Sequence, residues 1–146
     1  MKIKIKKDKD AIMPSYAHDG DAGIDIYSNQ DLIIHAGEIK TISTGLYFEI
    51  PKGYAGLVWD KSGLAGNSGI KTMAGVLDSS YRGELRVVLT NLSKNDFEIK
   101  KHMKIAQLLI QKIERAEIEE TNELNETSRG SGGFGSTGLY KNNKQI

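Results

Sequence analysis

Asp78 ends an apolar run, Ala74-Gly75-Val76-Leu77, and is followed by Ser79-Ser80, the aromatic Tyr81 and Arg82-Gly83-Glu84. A carboxylate in such a place can take a proton from water, and a positioned general base is worth about 10²–10⁴-fold in rate. Leu85-Arg86-Val87-Val88-Leu89 then resumes strand character, so the stretch is predicted as a β-hairpin with an acid and an aromatic near its bend. Asp and Ser also make ordinary turns, so on its own the stretch is equally a piece of turn structure.

Two further stretches suit anions. Lys61-Ser62-Gly63 opens the one internal helix candidate, Asp60 to Gly66. Backbone N–H groups and the helix dipole favour a phosphate there, with an ammonium and a hydroxyl at hand. The plainer alternative is an ordinary helix start with Asp60 as its N-cap. Near the C-terminus, Arg129-Gly130-Ser131-Gly132-Gly133-Phe134-Gly135-Ser136-Thr137-Gly138 fits G-x-G-x-x-G. It also has P-loop spacing except that Ser136 replaces the required lysine. Both of those motifs need a strand before and a helix after, and too few residues follow, so neither applies. Glycines can still wrap a phosphate with backbone N–H groups. Ser136 and Thr137 add hydroxyls, Arg129 adds a planar fork, and Phe134 offers a face to a base.

Asp25 stands in a strand-like run two residues after Gly23, and alone it reads as a solvated acid, the usual fate of Asp. Gln107 lies among Ile, Ala and Leu, where a buried amide must find partners. His18, His35 and His102 lack ligand spacing and are expected at the surface.

The elements that must position these residues are mostly strands. Strand-sized segments recur about every ten residues with turn signals between them, which predicts an all-β sandwich or barrel. Expected strands are 1–13, 22–28, 32–34, 54–59, 97–99 and 105–113, with 39–50 a strand pair broken at Gly45. Lys2 to Lys9 reads as a solvated edge strand, because edge lysines oppose aggregation. Composition turns polar and glycine-rich after Ile118, giving a core at 1–118 and an arm at 119–146 that should be mobile when alone.

With 38% hydrophobic and 27% charged residues, 146 residues suit one soluble domain. A net charge of +1 argues against broad nucleic-acid binding. The absence of cysteine excludes disulfides, thiol nucleophiles and Cys-ligated metals. No apolar run approaches the roughly 20 residues of a membrane span, and no secretory signal is visible, so a cytoplasmic location is expected.

Taken together, five stretches occur in order. They are Ala22-Gly23-Ile24-Asp25-Ile26, Lys61-Ser62-Gly63-Leu64-Ala65, Gly75-Val76-Leu77-Asp78 with Tyr81-Arg82-Gly83, Lys104-Ile105-Ala106-Gln107-Leu108-Leu109, and Arg129 with Gly132 to Gly138. This resembles the five ordered motifs of the trimeric dUTPases, over roughly Pro14 to Gly138. The resemblance implies an all-β, jelly-roll-like subunit and a homotrimer with shared active sites closed by the C-terminal arm. It implies hydrolysis of dUTP to dUMP and pyrophosphate, with Mg2+ on the triphosphate. Residue by residue, Asp78 matches the base and Tyr81 the tyrosine against deoxyribose. Gly75, Val76 and Leu77 match the uracil-reading segment, and Lys61, Ser62 and Gly63 the phosphate segment. Gln107 matches the glutamine near the α-phosphate. Arg129, Phe134, Gly135, Ser136 and Thr137 match the arm, and Asp25 an acid near the metal, acting through water.

Two positions depart from the pattern: Lys61 stands where the family usually has arginine, and Ser80 where it often has an acid. A dCTP deaminase-type relative and a regulatory nucleotide-binding trimer stay open as other readings; the Tyr81 stretch and the aromatic arm favour the dUTPase.

Overall fold

The computed structural model describes residues 1–134 and 136, so the expectations at Gly135 and Thr137 lie outside the described residues. Two compact units divide the chain, residues 1–114 and 115–146. In chain order the first unit carries β1 (Lys4–Lys7), β2 (Ile24–Tyr27), β3 (Leu32–Ile34), β4 (Ile39–Glu49) and β5 (Tyr54–Trp59). After them come α1 (Ser62–Ser68), β6 (Ile70–Met73), β7 (Val76–Leu77), β8 (Glu84–Asn91), β9 (Phe97–Ile99) and β10 (Lys104–Lys112). The all-β expectation holds, and most strands fall where alternation put them, but the first is confined to Lys4–Lys7 within the expected 1–13, and β6 was not expected.

Pairing is antiparallel throughout. One sheet has the order β1-β4-β8-β6, the other β2-β10-β5-β7, and β3 pairs with β9. Alternation in β8 buries Leu85, Val87, Leu89 and Asn91 and turns Arg86 to solvent. Such inward side chains meet Ile26, Ile42, Leu46, Ile105 and Leu108 in one core. The polar intruder Asn91 is satisfied there: its amide donates to the carbonyls of Ile34 (2.9 Å) and Asn95 (2.8 Å), and its oxygen accepts from Ser93. β1 is an edge strand with exposed lysines, as expected.

Three local expectations need correction. First, β4 is one strand, not a pair. Its register against β8 shifts between Ser43 and Tyr47, around Gly45 at φ +65°. The Glu84 carboxylate holds this irregularity by accepting from Thr44 N (3.1 Å), Gly45 N (2.9 Å) and the Ser43 hydroxyl.

Second, residues 74–89 are not a simple hairpin. β8 pairs with β6, with Met73 opposite Val88, whereas β7 pairs with β5 in the other sheet. The chain leaves the first sheet at Ala74 (φ +58°) and Gly75 (φ +114°), and Val58 N donates to the Gly75 carbonyl at 2.8 Å. A Cβ at Gly75 would sit 2.8 Å from the Val58 carbonyl oxygen, so both conformation and space demand glycine. Period-two patterning predicts strands but not which neighbour each one takes.

Third, α1 begins at Ser62 with Lys61 as its N-cap in extended conformation and no side-chain cap. The Asp60 carboxylate points elsewhere: Thr72 N and Thr72 Oγ1 donate to it at 2.6 Å each, and Lys71 Nζ at 2.7 Å. Three donors on β6 outcompete one helix cap. α1 ends at Gly69, left-handed at φ +67°.

The second unit has no helix or strand among its described residues. Its turns are local: Gly130 N donates to Thr127 O at 3.0 Å, and Arg129 Nε to Gly132 O at 2.8 Å. The Phe134 side chain is fully exposed. Among the described residues, no helix is long and apolar enough to cross a membrane.

Candidate functional site

β2, β5 and β10 open a cleft of about 690 Å3 whose lining includes Gly23, Asp25, Trp59, Lys61, Lys104 and Gln107. The register of the sheet gathers them. Gln107 lies opposite Asp25 on one side and opposite Trp59 on the other. Lys61 arrives two residues after β5 ends.

Asp25 is the departure from expectation: it is 3% exposed, not solvated. Two ammoniums compensate it, Lys61 Nζ at 2.5 Å from Oδ1 and Lys104 Nζ at 2.7 Å from Oδ2. Burial alone would push the Asp25 carboxyl up. The bonds and charges of Lys104 and Lys61 outweigh that and hold it below its ordinary value. Lys104 is correspondingly pushed up, chiefly by its bond to Asp25.

Gln107 Nε2 donates to the Asp60 carbonyl at 2.8 Å. The amide thus ties β10 to the residue just before Lys61, while Oε1 has no protein donor among the described residues. Asp60 is a hub, since its carbonyl takes Gln107 and its carboxylate takes Lys71 and Thr72. Ser62 and Gly63 are exposed at the start of α1.

A second, smaller groove of about 210 Å3 is lined by Val58, Ala74 to Leu77, Tyr81 and Glu84 to Arg86. The Tyr81 hydroxyl donates to Glu84 O at 3.1 Å, and its ring lies over Gly83, where a Cβ would overlap it. Asp78 is exposed, and Tyr81 N donates to its carbonyl at 3.1 Å. Its carboxylate has no protein partner among the described residues.

The structure therefore brings Asp25, Lys61 and Gln107 together in one cleft, and Gly75, Val76, Leu77 and Tyr81 together in another. The two clefts share no lining residue. Trp59 stands between them, because it also lines a third groove with Thr72, Gly75 and Val76. Arg129, Phe134 and Ser136 belong to the second unit.

Sequence reasoning missed Lys104, Trp59, Asp60 and Glu84. Lys104 opens the fourth motif stretch, yet it precedes Gln107 by three residues, and a regular strand would send it to the opposite face. A register shift between Lys104 and Ala106 turns both toward the cleft.

Residues 9–138 match the family model for dUTPase. The chain belongs to the dUTPase family. It is 50% identical over 141 residues to a deoxyuridine 5'-triphosphate nucleotidohydrolase of Nautilia profundicola, covering 94% of this chain and 99% of the relative. It is 47% identical over 114 residues to one of Clostridioides difficile, covering 76% and 80% respectively. Among solved structures, a Staphylococcus bacteriophage 80alpha dUTPase with dUPNHPP superposes with a TM-score of 0.88 at 28% identity, covering 94% of this chain and 99% of that one. The dUTPase of S. aureus phage phi11 shares the fold, with a TM-score of 0.81 at 24% identity, covering 87% and 100%. The jelly-roll-like architecture is thus the dUTPase fold.

Proposed function

We propose that this chain hydrolyses dUTP to dUMP and pyrophosphate by water attack on the α-phosphorus, lowering dUTP and supplying dUMP for thymidylate synthesis. The observation that carries the reading is the division of the site. A polar cleft that presents the ammoniums of Lys61 and Lys104 beside Asp25, and a groove suited to a base and sugar, stand apart on one chain, and each is half of what a nucleotide needs. A homotrimer, in which the base groove of one copy faces the phosphate cleft of another, completes them.

Asp78 is the base that takes the proton from water. Gly75, Val76 and Leu77 present a strand backbone to the uracil edge, and the tight groove excludes a thymine methyl, since overpacking costs roughly 1–3 kcal/mol. Tyr81 packs against deoxyribose and leaves no room for a 2′-hydroxyl. Lys61, with Ser62 and Gly63, holds phosphate oxygens, and Gln107 Oε1 faces the α-phosphate or its water. Arg129, Phe134, Gly135, Ser136 and Thr137 close over the nucleotide, Arg129 on the γ-phosphate and Phe134 on the base. Catalysis of this kind rests on positioning and charge more than on covalent chemistry.

Mg2+ comes with the substrate. No group of three or more potential ligands gathers among the described residues, and both Asp25 oxygens already face an ammonium. Mg2+ typically keeps waters and binds through substrate phosphates. On the triphosphate it offsets negative charge, and any link to Asp25 runs through water. A cysteine-free chain with these substrates fits a cytoplasmic location.

Pyrophosphate release from dUTP, dCTP, dTTP and UTP in parallel, with and without Mg2+, tests the reading. Release from dUTP alone, dependent on Mg2+, is the expected result. Ammonia from dCTP would instead assign a deaminase, and binding of dUTP without turnover a regulatory trimer.

A further inference from the structure

Asp25 faces more positive charge than it needs. One ammonium within 3 Å compensates a carboxylate, yet Lys61 Nζ and Lys104 Nζ take one oxygen each. Both lysines line the 690 Å3 cleft with Gln107. The two are not equivalent. Lys61 caps α1 beside Ser62 and Gly63, at the edge of the phosphate segment. Lys104 opens β10 and reaches the cleft only because of the register shift before Ala106.

A buried carboxylate stripped of its partner is costly. If Lys61 were its sole counter-ion, leaving for a phosphate would strand the charge, and binding would carry that penalty. Lys104 removes the difficulty, because its ammonium sits on the other oxygen, Oδ2, at 2.7 Å and not on the one Lys61 holds. Its own side chain is 45% exposed, so it needs no rescue of its own.

We infer that Lys104 is a positioning residue of the phosphate cleft: it holds Asp25 compensated and so frees Lys61 to transfer its ammonium from Asp25 to the incoming triphosphate. Lys104 acts through Lys61 and is not itself a ligand of the nucleotide. The inference rests on the functional reading above, in which Lys61 meets phosphate.

The test is a double-mutant cycle on the full chain, following turnover of Mg–dUTP and the affinity of a non-hydrolysable dUTP analogue. Lys104→Met and Lys104→Gln should each raise KM and weaken the analogue by about fivefold or more, the size of a typical coupling between sites, with kcat changed less. Lys104→Arg should restore both values. In a Lys61→Met background, Lys104→Met should have no further effect on analogue affinity, because the residue it serves is gone. Thermal unfolding of each variant separates a structural role: a lowered melting temperature with unchanged KM overturns the inference. Equal weakening in both backgrounds also overturns it, since Lys104 would then be an independent phosphate ligand. A wild-type chain that releases no pyrophosphate from dUTP sinks the functional reading itself, and the inference with it.

Discussion

Gly23 lies against the Gln107 side chain, so closely that a β-carbon at position 23 would overlap the Gln107 amide oxygen and crowd its β-carbon at 3.0 Å. The amide cannot yield freely, because Nε2 is bonded to the Asp60 carbonyl at 2.8 Å. Gly23→Ala should therefore push Oε1 out of place while leaving the sheet paired. Turnover of dUTP should fall by roughly 10- to 100-fold, as expected for misplacing a group near the reacting atoms by about 1 Å. Steady-state kinetics beside a thermal melt checks this; full turnover would mean that the Oε1 position is irrelevant to the chemistry.

Asp78 is exposed, with a carboxylate free of protein partners among the described residues. Asp78→Asn keeps the shape and removes the proton acceptor. The variant should fold with wild-type stability, bind a non-hydrolysable dUTP analogue, and lose turnover by about 10²–10⁴-fold. Calorimetric titration and pyrophosphate release together decide it; a near-normal rate would remove Asp78 from the base role.

Much of this was legible from the chain, and the failures have physical reasons. Strands announce themselves by alternation, so β5, β8 and β10 fall where expected. Their partners do not: the switch of β7 into the second sheet depends on Ala74 and Gly75 adopting positive φ, which nothing in a period-two pattern encodes. Asp25 was misjudged because its burial depends on two lysines, 36 and 79 residues away, and a carboxylate's environment is a tertiary property. Lys104 was hidden by a bulge that breaks the alternation used to read faces. The five motifs singled out Asp25, Lys61, Gln107, Gly75 to Leu77 and Tyr81, which the fold gathers into two clefts. They gave no hint of the hub at Asp60 that ties the Lys61 turn to β6 and β10.

That hub has a pH signature. Burial pushes the Asp60 carboxyl up, but Lys71 and the two Thr72 donors prevail and hold it below its ordinary value. A depressed folded-state pKa means the stabilisation is fully present above the unfolded value, about 3.9, and is lost as pH falls through the folded one. Asp60→Asn should cost about 1.5–3 kcal/mol at pH 7, the usual range for hydrogen bonds to a charged group. The gap to wild type should shrink in denaturant unfolding below about pH 3.9. A gap that persists undiminished in acid would show that the charge is not what matters.

Phe134 separates binding from stability. Its side chain is fully exposed, so Phe134→Ala should leave the melting temperature unchanged. If the ring stacks on uracil, the variant should lose about 1–3 kcal/mol of nucleotide affinity, as bases do when an aromatic platform is removed. Comparing kcat/KM for dUTP with a thermal melt is sufficient. An unchanged kcat/KM would dissociate Phe134 from the base.

Gly83 tests sugar selection without replacing Tyr81. The Tyr81 ring lies across the space a Cβ at position 83 would fill, and its hydroxyl is held by the Glu84 carbonyl at 3.1 Å. Gly83 does not have the positive φ found at Gly75, so alanine is conformationally acceptable and only the ring must move. If Tyr81 packs on deoxyribose, a displaced ring closes on it less tightly. Gly83→Ala should lower kcat/KM for dUTP and narrow its margin over UTP by roughly tenfold, within the 1–3 kcal/mol that pocket shape supplies. The ratio of the two kcat/KM values is the decisive quantity. A fall in both with the ratio intact would show that Tyr81 shapes the groove without discriminating the 2′ position.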